Sequence, residues 1–162
     1  GQAASTINIR YIDADSVIGS YALAQQLMEE QQRELNKLQQ WHENKQRELQ
    51  GIANTISQKQ QNNVYLSQAS MQEDVTNLQK KSEEAERYFG TQQQRLAIAG
   101  EQMQRRLNDS INNFIKDYNA VHGYDAILLR EAGVYFKPEL NISAEVIEGL
   151  NARFAASQPA AK

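Results

Sequence analysis

The two histidines, His42 and His122, are the first residues to weigh for metal or acid–base chemistry. They stand eighty positions apart, both on stretches of helical period, and a lone imidazole on a helix is ordinarily solvated or packed. Adjacent carboxylates occur at Glu29–Glu30 and at Glu83, Glu84 and Glu86, the kind of pair that general acid–base work needs. On a helix, however, neighbours at i and i+1 point apart. Lys80, Lys81 and Arg87 lie three or four positions from Glu83 or Glu84, which makes a solvated, ion-paired face. With zero cysteines there is no thiol nucleophile, disulfide or cysteine metal site. No Gly-x-x-x-x-Gly-Lys loop and no Gly-x-Gly-x-x-Gly turn occurs, so nucleotide-driven work has no support. The expectation is therefore a protein that is not an enzyme, with no catalytic residues, cofactor or metal.

The aromatic residues say more. Trp41 and Tyr88 fall on long helical stretches but off the best packing positions, and Tyr65 and Leu66 lie near a polar break, which suits weak and adaptable contacts with a partner chain. Turn packing is an equal alternative for Tyr65 and Leu66, and Phe89 sits on the seam itself. These residues are set in an unusual background. Twenty-one Gln and thirteen Asn put an amide on about a fifth of the 162 side chains, while the hydrophobic share is only 40%. That is too little apolar material for a compact globule, and it suits a solvated helical protein or one that completes its core with other subunits. A net charge of −3 argues against nucleic acid as a partner. No apolar run approaches the ~20 residues of a membrane span.

The elements that must position these residues can be read from period and punctuation. Ile7, Ile9 and Tyr11 alternate with polar residues as a strand does, and Asp13-Ala-Asp15-Ser16 supplies helix-capping types before Val17. From about Ser20 to His122 the period is helical and free of proline. Leu35, Leu38, His42, Lys45, Leu49, Ile52 and Ile56 step by threes and fours, as do Met71, Val75, Leu78, Ser82, Ala85, Phe89, Gln92 and Leu96. Between them, residues 62–70 break the pattern, and Ser70 with Glu73 reads as a capping box. The first helix is expected to end near Tyr65 and the next to begin near Ser70. Two helices of equal length joined by a short turn make an antiparallel hairpin, with facing residue numbers summing to about 136. His42 and His122 then lie at levels roughly 40 Å apart and cannot act together. Gly51, Gly90 and Gly100, single inside the helices, read either as flexible points or as neutral replacements.

Gly123 caps the second helix. Tyr124 to Glu131 reads as a strand, Ala132-Gly133 as a tight turn, and Val134-Tyr135-Phe136 as a partner strand. Asn141 or Ser143 caps a last helix with Val146, Ile147, Leu150 and Phe154 as its stripe. The expected division is a β/α body from 6–19 and 123–156 and a helical hairpin arm over 20–122. The segments 1–5 and 157–162 are expected to be loose. Three short strands and one helix form a thin core, so several chains should pool Ile7, Ile9, Tyr11, Ile127, Leu129, Val134 and Phe136.

At both ends the chain resembles the Skp/OmpH family of periplasmic chaperones. Ile7-Asn-Ile-Arg-Tyr-Ile-Asp13-Ala-Asp15-Ser-Val-Ile18 looks like that family's first strand and the start of its first helix. Tyr124-Asp-Ala-Ile-Leu-Leu-Arg130 with Gly133-Val-Tyr-Phe136 looks like its strand pair, and Asn141-Ile-Ser143 like the Asp-Ile-Thr opening of its last helix. The resemblance implies a mainly α fold with a small β body. It implies a long coiled-coil hairpin projecting from a β-barrel-like base, a jellyfish-like homotrimer. It further implies a periplasmic, ATP-independent holdase that keeps unfolded outer-membrane β-barrel proteins in a cavity between the arms. A peripheral contact with the membrane stays open. The first residues, Gly1-Gln-Ala-Ala-Ser5, read as the start of a processed chain, so the periplasmic address rests on the resemblance. The chain departs from the family's frequent basic character: residues 20–122 hold 12 Lys and Arg against 13 Asp and Glu. Rival readings are a prefoldin-like holdase, whose hairpins interrupt the middle of the chain, and a structural coiled coil or adaptor of the cell envelope. Strands flanking the helices count against the first, and polar seam residues such as Gln31, His42 and Lys45 against the second.

Overall fold

The computed structural model describes residues 6–160. A strand β1 (Ile9–Ile12) leads into a short helix α1 (Ala14–Ser20). Two long helices follow, α2 (Ala22–Gln61) and α3 (Gln68–His122), then a strand β2 (Ala126–Leu129) and a last helix α4 (Ser143–Ser157). Packing divides the chain into two units. Gly1–Glu30 with Gln102–Lys162 forms a base, and Gln31–Glu101 forms a hairpin, so α2 and α3 each contribute to both. The looseness expected at 1–5 and at 161–162 falls outside the described residues. Ser157, expected in the loose tail, is the last residue of α4.

The base is built around β1. It pairs in parallel with β2, Ile9 opposite Ala126 through Ile12 opposite Leu129. Beyond the ladder, Tyr11 bridges to Asn141, and the Ile142 N–H donates to the Tyr11 carbonyl at 2.9 Å. The third strand expected at Val134–Phe136 does not form. A tight hairpin turn needs a residue in the left-handed region, whereas Gly133 is extended at φ −130° and Arg130–Ala132 makes a 3-10 turn. Phe136 is left free to stack on Tyr11, with ring centroids 4.8 Å apart.

Asp13 caps α1 as its position suggests, its carboxylate accepting from the N–H groups of Asp15 (3.1 Å) and Ser16 (3.4 Å). Helix does not run on from Ser20, because Tyr21 is extended at φ −81°, ψ 118°. The polar groups freed there are met by Asn151 of α4. Its amide donates to the Ser20 carbonyl at 2.9 Å and accepts from the Ala22 N–H at 2.7 Å. The Tyr21 ring is thereby turned inward, and its hydroxyl donates to Ser110 Oγ at 3.2 Å. Gly123, at φ +69°, closes α3 as expected. Asn141 opens α4 from outside the helix, its Oδ1 accepting from the Ser143 N–H at 2.9 Å.

Val17, Leu107, Val146 and Leu150 are fully buried here, among Ile12, Phe114 and Ile142. Each buried aliphatic of this kind contributes about 1.5–3 kcal/mol. The stripe read for α4 is thus its packed face, with Ile147 and Phe154 at the margin.

In the hairpin, α2 ends earlier than the sequence pattern suggests. Asn63 takes the left-handed conformation at φ 51°, and the N–H groups of Val64 and Asn63 return to the carbonyls of Lys59 and Gln60 at 3.0 and 3.3 Å. That is a Schellman closure, with asparagine where glycine is commoner. The next helix is opened by Ser67, whose Oγ accepts from the Ser70 N–H at 3.1 Å; the box expected at Ser70 and Glu73 lies one turn too late. The shorter first leg shifts the register. Trp41 meets Tyr88, His42 meets Phe89 and Gln31 reaches Leu96, so facing numbers sum to about 130 rather than 136.

Gly149 of α4 lies flat against the base core: a Cβ there would run into the Phe114 ring. Gly149→Ala should therefore push α4 off its seat and destabilise the protein by about 1–3 kcal/mol. Thermal unfolding followed by circular dichroism checks this; a melting temperature equal to the parent's would show that α4 is not seated there.

Candidate functional site

Among the described residues no three His, Asp or Glu side chains come together as a metal cluster. His42 lies on the Phe89 ring at 4.1 Å, in the hairpin. His122 belongs to the base, stacked on Tyr118 at 3.8 Å with Nδ1 2.9 Å from the Tyr118 carbonyl. Each histidine is occupied by an aromatic neighbour, and they fall in different units.

What remains are two surfaces. The hairpin carries Trp41, Tyr65, Leu66 and Tyr88, the four residues that composition and spacing suggest as partner contacts. Trp41 and Tyr88 are one feature rather than two, since their rings meet across the legs at 4.4 Å. The Lys45 ammonium lies 5.8 Å from the Trp41 ring. It also pairs with Glu48 at 2.8 Å, holding that carboxyl below its usual range. Tyr88 still leaves 47% of its surface exposed. Tyr65 is taken up by the turn, its hydroxyl donating to Asp74 at 2.9 Å while Lys59 reaches the same carboxylate at 3.4 Å. Partial burial, and then the bond to Asp74, raise its phenol above the ordinary value. Leu66 beside it is 100% exposed. Sequence reasoning passed over Val64, also exposed; its position in a polar break next to Tyr65 was the available signal.

The hairpin seam is thin. Among the described residues between Gln31 and Glu101, Leu49 and Ala85 are the buried apolar ones, and Leu35, assigned to the seam by its spacing, is exposed. A groove of about 810 Å³ opens between the legs around Gly51, Ile52, Thr55, Ile56, Leu78 and Lys81. Gln31 accounts for one polar intrusion: its amide donates to the Leu96 carbonyl at 2.9 Å. Such a surface offers scattered apolar side chains among amides, suited to many weak contacts rather than one sharp epitope.

The second surface is on the base, and the residues expected to be shared between chains divide there. Tyr11 is buried under Phe136, and Ile9 and Ile127 are half-buried. Ile7 (75%), Leu129 (50%) and Val134 (107%) are exposed, and so is Tyr135, which the pattern assigned to a strand without singling it out. Beside β2 a cavity of about 420 Å³ is lined by Ile18, Ile111, Ile115, Ile127 and Leu129. The outer edge of β2 has no partner strand among the described residues, which leaves a row of unpaired backbone groups next to exposed apolar side chains.

A family model described as "Outer membrane protein (OmpH-like)" matches residues 8–150. Among solved structures, the chain is similar to a crystal structure from Caulobacter crescentus that is provisionally described as an outer membrane chaperone (OmpH-like). The TM-score is 0.82 at 16% identity, over 94% of this chain and 89% of that one. At that identity the likeness shows the fold. No curated protein matches the chain.

The Tyr65–Asp74 contact gives the tip a measurable signature. Because the folded chain favours the protonated phenol, its stabilisation is present below the unfolded value near pH 10 and is lost as pH rises through the higher folded value. Spectroscopic titration of the parent minus Tyr65→Phe should show one phenol ionising above the ordinary value. A difference curve centred on the ordinary value would mean that the contact does not persist in solution.

Proposed function

The chain belongs to the OmpH-like outer membrane protein family, and from that membership we propose that it is an ATP-independent holdase of the periplasm. On this reading it binds unfolded outer-membrane β-barrel proteins and prevents their aggregation. The observation that carries it is the extent of the match: residues 8–150 take in both strands and both long helices. Two features support it physically. The hairpin combines exposed apolar side chains with a thin seam, which fits weak and numerous contacts with a chain that has no fixed shape. The sequence carries no phosphate-binding loop, so holding draws on no nucleotide. Among the described residues no helix is long and apolar enough to cross a membrane.

The assembled form is a homotrimer in which the strands of three chains pool into a barrel-like body and the hairpins wall a cavity. The free edge of β2 and the exposed Ile7, Leu129 and Val134 support this, because another chain would cover both the unpaired backbone and the apolar side chains. Trp41, Tyr65, Leu66 and Tyr88 are the proposed client contacts, with Tyr88 and Leu66 the most available of the four. The expected division also stands as a proposal: 6–19 and 123–156 as assembling body and 20–122 as arm.

Assembly and holding are tested separately. Leu129→Asp replaces a half-exposed side chain, so in a single chain it should change stability by no more than about 0.5 kcal/mol. In a shared core it buries a charge at a cost of several kcal/mol. Sedimentation should therefore show a trimer for the parent and monomer or aggregate for the variant. A variant that sediments like the parent would remove this face from the interface.

For holding, the observed register places Asn36 opposite the neighbourhood of Gln94. Joining those two residues by a short turn removes the distal hairpin and leaves every base residue in place. This shortened chain should keep the parent's oligomeric state and lose most of its ability to keep a urea-diluted outer-membrane β-barrel protein soluble. Equal protection by both chains at equal concentration would refute the assignment of holding to the hairpin.

A further inference from the structure

The hairpin unit is electrically balanced. Residues 31–101 contain nine Lys and Arg and nine Asp and Glu, against fifteen Gln and six Asn. Part of this charge is consumed locally, in Lys37–Glu34, Lys45–Glu48 and Lys59–Asp74 pairs at 3.2, 2.8 and 3.4 Å. With nine charges of each sign, the unit has no net charge to build a long-range field that would draw in a charged partner.

The amides divide in two. Some serve the helices, as when Gln32 donates to Asn36 at 2.9 Å and Gln50 to Asn54 at 3.0 Å, each one turn on. Others serve nothing within the described residues. Among these, the side chains of Gln40, Gln46, Gln72, Gln79, Gln93 and Gln94 are exposed and make no hydrogen bond there. Each of these offers a donor and an acceptor on one flexible side chain, the same pair of functions that a peptide unit carries. An unfolded chain presents peptide units at every residue, whatever its side chains or net charge. A lysine or glutamate can answer only half of that unit, and only its charge would be felt at a distance.

We infer that the hairpin takes hold of unfolded chains through their main chain, using its free glutamine amides beside the exposed apolar side chains, and that capture is indifferent to client charge and to salt. The inference rests on the holdase reading and names its substrate class: unfolded polypeptide of either net charge. Ionic contacts on exposed surfaces are screened as the Debye length falls from about 10 Å at 0.1 M salt toward about 3 Å at 1 M, whereas contacts between neutral dipoles are not.

The test uses the full chain and a fluorescently labelled, urea-unfolded outer-membrane β-barrel protein, together with the same client succinylated to convert its lysines to acids. Binding is read by anisotropy at 50 and 500 mM NaCl. The dissociation constant should change by less than about twofold with salt and by less than about threefold with succinylation. A second variant replaces these six glutamines by alanine, which keeps helix propensity and removes their amides. Its far-ultraviolet circular dichroism should match the parent, and its affinity should fall by about tenfold as six weak contacts are lost together. A tenfold or larger loss of parent affinity with salt, or an alanine variant that binds as tightly as the parent, overturns the inference while leaving the holdase reading in place. Absence of any client binding by the parent at either salt concentration overturns the holdase reading itself, and this inference with it.

Discussion

The ladder between Ile9–Ile12 and Ala126–Leu129 is the contact on which the rest of the chain hangs. It is parallel, and parallel neighbours cannot be joined by a tight turn; they need a long crossover. Here the crossover is everything from α1 to the end of α3. A loop of that length would be a small entropic burden, because closure cost rises only by about 0.6 kcal/mol per doubling of length. Its folding into paired helices brings the two strands back to one place. Four residues on each side would not hold by themselves. The ladder persists because Tyr11 also receives the Ile142 N–H, Asp13 donates its N–H to Ser143 Oγ at 2.8 Å, and the base core closes over it.

The two units are stabilised by different means. The base has a dense apolar cluster, with Val17, Ala24, Val146 and Leu150 carrying no exposed surface at all. It also uses side-chain amides as substitute peptides: Asn151 bridges the break at Tyr21, and Asn119 clamps both the N–H and the carbonyl of Tyr124, at 2.8 and 2.9 Å. Each restores hydrogen bonds that a change of chain direction would otherwise leave open. The hairpin has few buried side chains and relies on aromatic pairs across the legs and on bonds one turn apart along each leg. Helices of forty and fifty-five residues tolerate this, since each adds one backbone bond per residue once nucleated. A hairpin held this way keeps most of its side chains free for contact with something else.

A likeness in fold at 16% identity has the same root. Few positions carry a demand that only one residue type meets. Gly149 against Phe114 and Gly123 at positive φ are two of them. Elsewhere the requirement is a period, a cap or an amide of the right reach, and many sequences meet it.

The sequence by itself determined what depends on neighbours along the chain. Apolar alternation placed β1, the proline-free period of threes and fours placed two long helices, and Asp13, Gly123 and Asn141 stand at the start of α1, the end of α3 and the start of α4. The stripe Val146, Leu150 is the packed face of α4. Tertiary structure decided whatever depends on a partner distant in sequence. The break at Tyr21 is written in no local signal, because the residue that satisfies it, Asn151, is 130 positions away. The register of the legs turned on one left-handed asparagine, Asn63, and a shift of a few residues there moved Trp41 from the neighbourhood of Arg95 onto Tyr88. Val134–Phe136 has the composition of a strand, but Gly133 stayed extended and Phe136 found Tyr11. Propensity records what a segment can do; which of its options is taken depends on what the fold brings beside it.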